Sequence, residues 1–161
     1  VGGNHKGDLI VTESSRTTYI GTAPFLSAAG ARTVLDAALA EAGRIGVPQC
    51  VAVVDAGGHL LAFGRSDGAR IGSISVAQTK AVSAATRKRP TGEEGGGEAL
   101  NAIRLALAAD RVTGIAGGLP IVADGSVIGG VGVSSGTSDQ DLQCSRAGIA
   151  AIGLDPDERP R

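Results

Sequence analysis

The sequence contains no Met and no Trp, and its aromatic residues are limited to Tyr19, Phe25 and Phe63. The 15 basic side chains nearly balance the 16 acidic ones, so the formal net charge is −1. Because the chain lacks a basic stripe for phosphates and rings for base stacking, we do not expect it to bind nucleic acid. No stretch approaches the roughly 20 apolar residues that span a bilayer, so no membrane partner is expected either.

Cysteine and histidine are also scarce, with two of each: Cys50, Cys144, His5 and His59. They are not clustered at metal-ligand spacing, so no metal site is predicted. Both cysteines lie in apolar patterns and are interpreted as small buried side chains, while a disulfide between them stays open. Because the first residue is Val, we expect a processed or truncated start. The compartment is left open, with the cytoplasm slightly favoured.

Small and aliphatic residues dominate what is present. Gly supplies 26 of the 161 residues, and apolar residues make up 42%. This length fits one domain, whose core must consist of Ala, Val, Ile and Leu. The glycines of the run Ile128–Val133 are interpreted as sites where a helix or a second subunit approaches the backbone of a strand.

Periodicity and turn signals predict helices that alternate with hairpins. Apolar residues at three- and four-residue spacing predict helices over 25–46, 71–88, 98–110 and about 139–152. Ser27 is the predicted N-cap of the first helix. The pairs Gly57-Gly58 and Asp124-Gly125 each separate two short apolar runs, which is typical of β-hairpins.

This order of elements predicts an α+β fold, in which helices pack on one antiparallel sheet. Residues 1–24 are polar and are predicted to form an N-terminal arm. Residues 25–153 are predicted to form the domain, and 154–161 a charged tail that frays.

Several segments, in this order, resemble one known family. They are Val51-Ala52-Val53-Val54-Asp55-Ala56-Gly57-Gly58, Phe63–Ala69, Ala77-Gln78-Thr79-Lys80-Ala81, Gly117-Gly118-Leu119-Pro120-Ile121 and Ile128–Ser134, with Gln140-Asp141 beyond. Together they resemble the GlcG/HbpS-like family, which also supplies the C-terminal domain of PduO-type corrinoid adenosyltransferases. The resemblance covers about residues 25–153.

The resemblance implies a profilin-like fold, with an antiparallel sheet of about five strands flanked by helices. It also implies assembly into dimers or higher homo-oligomers, and it makes haem the candidate cofactor because some members bind it. One branch of the family ligates haem through a Thr in or near the helix that carries Lys80. Ser83 stands where the family usually has Thr, and is therefore a candidate ligand-binding residue.

Three residues are candidates for proton transfer: Lys80, Asp55 and His59. Lys80 interrupts a helical face of alanines and could reach a pocket, or could extend its ammonium to solvent from the edge of that face. Asp55 ends an apolar strand and could act as an acid or base, or could cap the turn by accepting the N–H groups of Gly57 and Gly58. His59 is either a catalyst or ligand, or a solvated turn residue.

Three further residues are candidates for binding a ligand. Arg65 could clamp a carboxylate or a haem propionate, or form an ion pair with nearby Asp67. Ser134 and Ser135 precede a predicted helix and could cradle an anion. The alternative for that loop is helix capping by Ser138, with Asp141 as its third-position partner.

Three functions follow from these residues. The favoured hypothesis is a small-ligand-binding module that takes haem or another planar or carboxylated molecule, in a homo-oligomer. The second is a cofactor-free isomerase, hydratase or lyase acting on a small carboxylated metabolite. In that enzyme Lys80 and Asp55 would transfer protons, Arg65 would hold the acid and Ser134 would bind an oxyanion. The third is a purely structural or regulatory oligomer.

Overall fold

The computed structural model describes residues 21–92 and 112–161 of the chain. The predicted helix 98–110 and residues 1–20 of the predicted arm lie outside the described residues. Residues 21–24 are exposed and have no regular secondary structure. The described helices and strands are α1 (Ala28–Arg44), β1 (Cys50–Asp55), β2 (Leu60–Arg65), α2 (Ser73–Arg87), β3 (Gly118–Ala123), β4 (Ser126–Ser134) and α3 (Ser138–Ala150).

The strands form one antiparallel sheet in the order β2-β1-β4-β3. The predicted α+β class is confirmed, but the described residues include four strands where about five were expected. Both predicted hairpins are present, as β1–β2 and β3–β4. Asp124 and Gly125 have φ angles of 53° and 77°, the positive values that a two-residue hairpin turn of this kind requires.

The helices begin and end where short-range signals place them, to within a few residues. Ser27 caps α1 as predicted, since its Oγ accepts the N–H of Gly30 at 3.1 Å. Helix α2 ends at Arg87, its C-cap Lys88 has a left-handed φ of 55°, and Pro90 follows two residues later. For α3 the predicted cap is wrong. Thr137, not Ser138, is the N-cap, and Gln140, not Asp141, completes the capping box.

The sheet is covered on both faces. Helix α2 packs on one face, against β1, β3 and β4, while α1 and α3 pack on the other. The core under α2 consists of small side chains: Cys50, Ala52, Val54, Ala69, Ala77, Ala81 and Ala85. The opposite core is larger and aliphatic, and includes Val34, Leu35, Val51, Val53, Leu119, Ile121, Val131, Val133 and Ile149.

Glycines in β4 allow α2 to approach the sheet at backbone distance, as the sequence predicts. A Cβ atom placed on Gly132 would collide with the carbonyl oxygen of Ala77 and the amide nitrogen of Ala81. A Cβ on Gly130 would lie 2.5 Å from the carbonyl oxygen of Ala81. The contact between helix and strand therefore requires residues without a side chain on β4.

The C-terminal tail does not fray as expected, because it packs against the β3–β4 turn. The N–H of Arg161 donates to the Gly125 carbonyl at 3.0 Å, and Glu158 accepts the N–H of Gly125 at 2.8 Å. Asp157 also pairs with Arg146 of α3 at 2.7 Å. These contacts tie the end of the chain to both the sheet and α3.

No helix within the described residues combines the length and the hydrophobicity that crossing a membrane requires.

Replacing Gly132 with Ala tests the close contact between α2 and β4. We expect Gly132→Ala to lower the free energy of unfolding by about 1–3 kcal/mol or more, because the new methyl group must displace helix backbone. Gly43→Ala in exposed α1 is the matched control, since nothing lies within 4 Å of the added Cβ. That variant should be more stable by about 0.4–1 kcal/mol. Urea unfolding followed by far-UV circular dichroism measures both, and equal stability of the two variants would contradict the packing.

The two cysteines are free thiols and both are buried, as the favoured interpretation predicted. Burial raises the pKa of Cys144 to about 11 and also raises that of Cys50. We therefore expect almost no reaction with a thiol reagent at pH 8 in the folded protein. Both thiols are protonated at that pH, and the reagent cannot reach them in the interior. In guanidinium chloride both thiols should react. A denatured chain with no reactive thiol would instead indicate a disulfide.

Candidate functional site

Lys80 lies in the interior, where it joins α2 to the end of β4 and to α3. Its side chain is 1% exposed. The Nζ atom donates to Asp141 Oδ2 at 2.7 Å and to the carbonyl oxygen of Val133 at 2.8 Å. The side chain does not extend to solvent, which was one of the two predicted alternatives.

The environment of Lys80 is that of a structural ion pair. Burial lowers the pKa of Lys80, while the hydrogen bond that its ammonium donates to Asp141 opposes that shift. Asp141 is buried as well, and its second oxygen, Oδ1, accepts the N–H of Gly136 at 3.0 Å. Lys80 Nζ thus donates to two protein oxygens, and each carboxylate oxygen of Asp141 accepts one hydrogen bond, so the charge of Lys80 is paired within the chain. The sequence offered only a capping role for Asp141, since its actual partner is 61 positions away.

The loop with Ser134 and Ser135 is occupied by contacts within the chain. Ser134 is buried. The Oγ of Ser135 accepts the N–H of Arg70 at 3.1 Å, and its carbonyl oxygen accepts from Arg70 Nη2 at 2.8 Å. The N–H of Gly136 donates to Gln49 Oε1 as well as to Asp141. The groups that would cradle an anion are therefore used to fasten the loop.

Ser83 is buried within the helix packing. Its Oγ accepts the N–H of Thr113 at 3.3 Å, which holds the segment before β3 against α2. The Ser83 hydroxyl is therefore covered by the segment that contains Thr113 and is not accessible on an open surface.

Asp55 and His59 form a pair at the β1–β2 turn. Asp55 Oδ1 accepts the N–H groups of Gly57 at 2.8 Å and of His59 at 2.9 Å. The predicted turn cap is thus present, with His59 in place of Gly58 as the second donor. These contacts, the His59 N–H first, lower the pKa of Asp55. The carboxylate also lies 3.2 Å from the imidazole Nδ1, and the side chain of His59 is 77% exposed.

This pair fixes which nitrogen of the imidazole is available. An ionised carboxylate only accepts hydrogen bonds, so the contact requires a proton on Nδ1 of His59. In the neutral ring Nε2 then carries the free lone pair. Metal-binding histidines usually donate the N–H of their other ring nitrogen to a carboxylate in the same way, which fixes the orientation of the ring.

Apolar and cationic groups continue from this turn along β2. Leu60 is 53% exposed and Leu61 36%, and Phe63 is half-buried against the α2 core. Arg65 ends the strand with its side chain exposed, and no ion pair with Asp67 is found among the described residues. The β1–β2 hairpin thus carries an imidazole at its turn, two exposed leucines beside it and a guanidinium at the far end of β2.

The structure separates the remaining candidates between the two ends of the sheet. Cys50 of β1 lies opposite both Arg65 and Ser134, whereas Asp55 lies opposite Gly129. Five residues of strand separate these ends by about 17 Å. Lys80, which bonds the Val133 carbonyl, is therefore not brought together with Asp55 or His59 in one chain.

A small pocket of about 50 Å³ lies elsewhere, between β3, α3 and the C-terminal tail. Its lining includes Leu119, Pro120, Leu142 and Arg146 but none of the candidate residues. Its volume is far below the roughly 300–1,000 Å³ of most small-molecule sites. In residues 21–92 and 112–161, no three His, Cys, Asp or Glu side chains are grouped to hold a metal ion.

Comparison with known proteins gives consistent results for sequence and fold. The family model described as "Haem degrading protein HbpS-like" matches residues 26–150. The protein GlcG of Escherichia coli K12 is 39% identical over 114 residues, which is 70% of this chain and 84% of GlcG.

Two solved structures share the fold and at least 30% of the aligned residues. A PduOC–heme complex superposes with a TM-score of 0.76 at 30% identity, covering 84% of this chain and all of that one. A double mutant of Streptomyces reticuli HbpS superposes with a TM-score of 0.72 at 34% identity, covering 84% and 92%.

Substitution of the buried ion pair tests its structural role. Lys80→Met leaves a buried carboxylate without its partner, so we expect the free energy of unfolding to fall by about 3–5 kcal/mol. Asp141→Leu should cost a similar amount, while the double variant should be much less destabilised than the two losses combined. Arg146→Ala, which breaks an exposed pair, is the control and should cost less than about 1 kcal/mol. Additive losses in urea unfolding would contradict the pairing.

Proposed function

The chain belongs to the HbpS-like family, and we propose that it is a small-molecule-binding module that holds haem through His59, in a homo-oligomer. The observation that carries this proposal is the Asp55–His59 pair on the exposed hairpin. It presents an imidazole Nε2 to solvent with a carboxylate behind Nδ1. A relative of the same fold was solved as a heme complex, which supports haem as the ligand.

The donors of the described residues fit an axial haem ligand at this position. The sequence has no Met, and both cysteine thiols are buried with raised pKa values. The Lys80 ammonium donates a hydrogen bond to Asp141, and the buried Ser83 hydroxyl accepts the N–H of Thr113. His59 is the one imidazole in the described part of the chain, and its Nε2 is open.

The neighbours of His59 fit the rest of the group. Leu60 and Leu61, which follow His59, are exposed apolar side chains that a porphyrin face could contact, and apolar contact is a main source of affinity for a planar apolar ligand. Arg65 carries an exposed guanidinium of the kind that binds a propionate, but it lies at the far end of β2, six residues from His59, and is not part of this site within one chain. When bound, haem supplies a redox-active iron. Its reduction potential depends on the axial ligand and on the hydrogen bonds that this ligand makes.

The cofactor-free enzyme is less well supported. It needs Lys80 and Asp55 to act on one substrate, with Ser134 binding an oxyanion. Lys80 and Ser134 are buried at one end of the sheet, and Asp55 lies at the other. A binding role for the hairpin requires only His59 with Asp55 behind it and the exposed leucines that follow.

Hemin titration of the full chain tests the proposal. We expect a shifted Soret band that saturates at one hemin per chain. His59→Ala should abolish the spectrum of imidazole ligation, while Asp55→Asn should weaken binding by about 10–100-fold, because the imidazole loses its orienting carboxylate. His5→Ala removes the other imidazole and is the matched control. An unchanged spectrum in His59→Ala would rule out this site.

A further inference from the structure

Gln49, which directly precedes β1, carries a buried amide with an unused donor. Its Oε1 accepts the N–H of Gly136 at 3.1 Å, whereas its Nε2 has no hydrogen-bond partner among the described residues. The amide cannot be turned over, because Oε1 already faces an N–H donor and Nε2 in its place could not accept that hydrogen bond. A buried donor is usually supplied with an acceptor by the protein, by water or by a ligand.

The unused Nε2 faces the loop that leads into α3. A Cβ atom placed on Gly136 would lie 2.5 Å from this nitrogen, so the amide lies directly against the glycine. The next residue, Thr137, is the N-cap of α3. The N-terminal end of a helix carries partial positive charge and attracts anions. The buried donor and the helix end therefore favour the same kind of group, an oxygen that accepts hydrogen bonds.

The N-terminal end of α2 lies beside this loop. Arg70, three residues before α2, donates its backbone N–H to Ser135 Oγ at 3.1 Å and its Nη2 to the Ser135 carbonyl oxygen at 2.8 Å. The N-cap of α2 is Gly72, which makes no side-chain capping bond, and the first turn of α2 contains no acidic residue. The positive end of α2 is thus not neutralised by a carboxylate of its own.

Arg65 adds a second guanidinium at the same end of the sheet. In the ladders of β1, Cys50 lies opposite Arg65 on one side and opposite Ser134 on the other, away from the register shift beside Val54. The Cys50 thiol also lies 3.8 Å from the carbonyl oxygen of Arg70. Both arginines therefore adjoin Cys50. Arg65 is exposed and forms no ion pair with a described residue.

We propose that this end of the sheet binds the carboxylate or phosphate group of a small metabolite, between the N-terminal ends of α2 and α3. Arg65 and Arg70 bind its charge, and Gln49 Nε2 donates to one of its oxygens. These three residues form the anion site. It lies at the Cys50 end of β1, about 17 Å along the strand from Asp55, and is independent of haem binding at His59.

The donor set selects an anion with several oxygens. Guanidinium and amide nitrogens donate hydrogen bonds, while an ionised carboxylate or phosphate accepts them. The planar fork of an arginine also matches a pair of such oxygens. Among the carboxylates at this end, Asp141 is paired with Lys80, while Asp67 and Asp139 are exposed to solvent. The hydroxyl and N–H groups of the loop itself are used within the chain, so the surrounding residues supply the donors.

The loop before α3 can move to uncover Gln49. Ser135 has a φ of 128°, which residues other than glycine rarely adopt, and the Arg70 guanidinium holds its carbonyl oxygen. An anion that draws this guanidinium away releases the strained residue. The adjoining Gly136 can then shift from Nε2, which gains an oxygen of the anion as its acceptor.

Titration calorimetry of the full chain with malonate and with inorganic phosphate tests the anion site. At an ionic strength held constant with potassium chloride, we expect saturation at one equivalent per chain with at least one of them. Malonate alone would identify a carboxylate ligand and phosphate alone a phosphorylated one. If neither saturates, the proposal is wrong.

Arg65→Gln should weaken this binding by about 10-fold or more, because a hydrogen bond between charged groups is lost. Arg32→Gln is the matched control, since it removes the same charge from an exposed position on α1. Its affinity should equal that of the wild type. Equal affinities of the two variants would overturn the proposal.

The side-chain amide of Gln49 gives a second measurement by ¹⁵N NMR. Its NH₂ signals are assigned by their absence in Gln49→Met, and they should shift as the anion saturates the wild type. Those of Gln143, which bonds Glu41 between α3 and α1, should stay in place. Unmoved Gln49 signals at saturation would show that a buried water alone satisfies the amide, and would remove Gln49 from the site.

Discussion

The backbone of α2 lies so close to β4 that no Cβ atom fits between them at Gly130 or Gly132. This contact determines where the residues of α2 can go. Ala77, Ala81 and Ala85 fill the narrow space, and no larger side chain could replace them without separating helix and sheet. The long side chain of Lys80 extends to the end of β4. There Asp141 and the Val133 carbonyl accept hydrogen bonds from its ammonium group.

The buried ion pair then constrains the loop that leads into α3. Asp141 accepts the N–H of Gly136, and the Ser135 hydroxyl accepts the N–H of Arg70. Thr137 is the N-cap of α3. These groups resemble an anion-binding loop when they are considered as residue types alone. In the folded protein each has a partner within the chain, because a buried polar group without one is costly. The polar residues of this loop therefore bond mainly to one another and to Arg70, and not to an open surface.

The exposed chemistry lies at the other end of β1, on the hairpin to β2. His59 and Leu60 stay accessible at this turn, although Val82 and Thr86 of α2 lie close to the backbone of Gly58. The PduOC–heme complex and the HbpS double mutant share the fold with TM-scores of 0.76 and 0.72, and because one fold can carry different sites, the ligand of this chain has to be argued from its own exposed residues. For this chain, an imidazole with a carboxylate behind it is the donor group that the hairpin offers.

Sequence alone determined the α+β class, both hairpins, the three described helices to within a few residues and the close approach at Gly130 and Gly132. These features depend on short-range periodicity, capping and turn chemistry, which neighbouring residues encode. It also determined which residue types could bind a ligand. Only the tertiary structure decided their roles, because each role depends on a partner distant in sequence. Asp141 lies 61 positions from Lys80, and Thr113 lies 30 from Ser83. The Asp55–His59 pair spans four positions, yet its exposure depends on α2 leaving β2 uncovered, which no local pattern specifies.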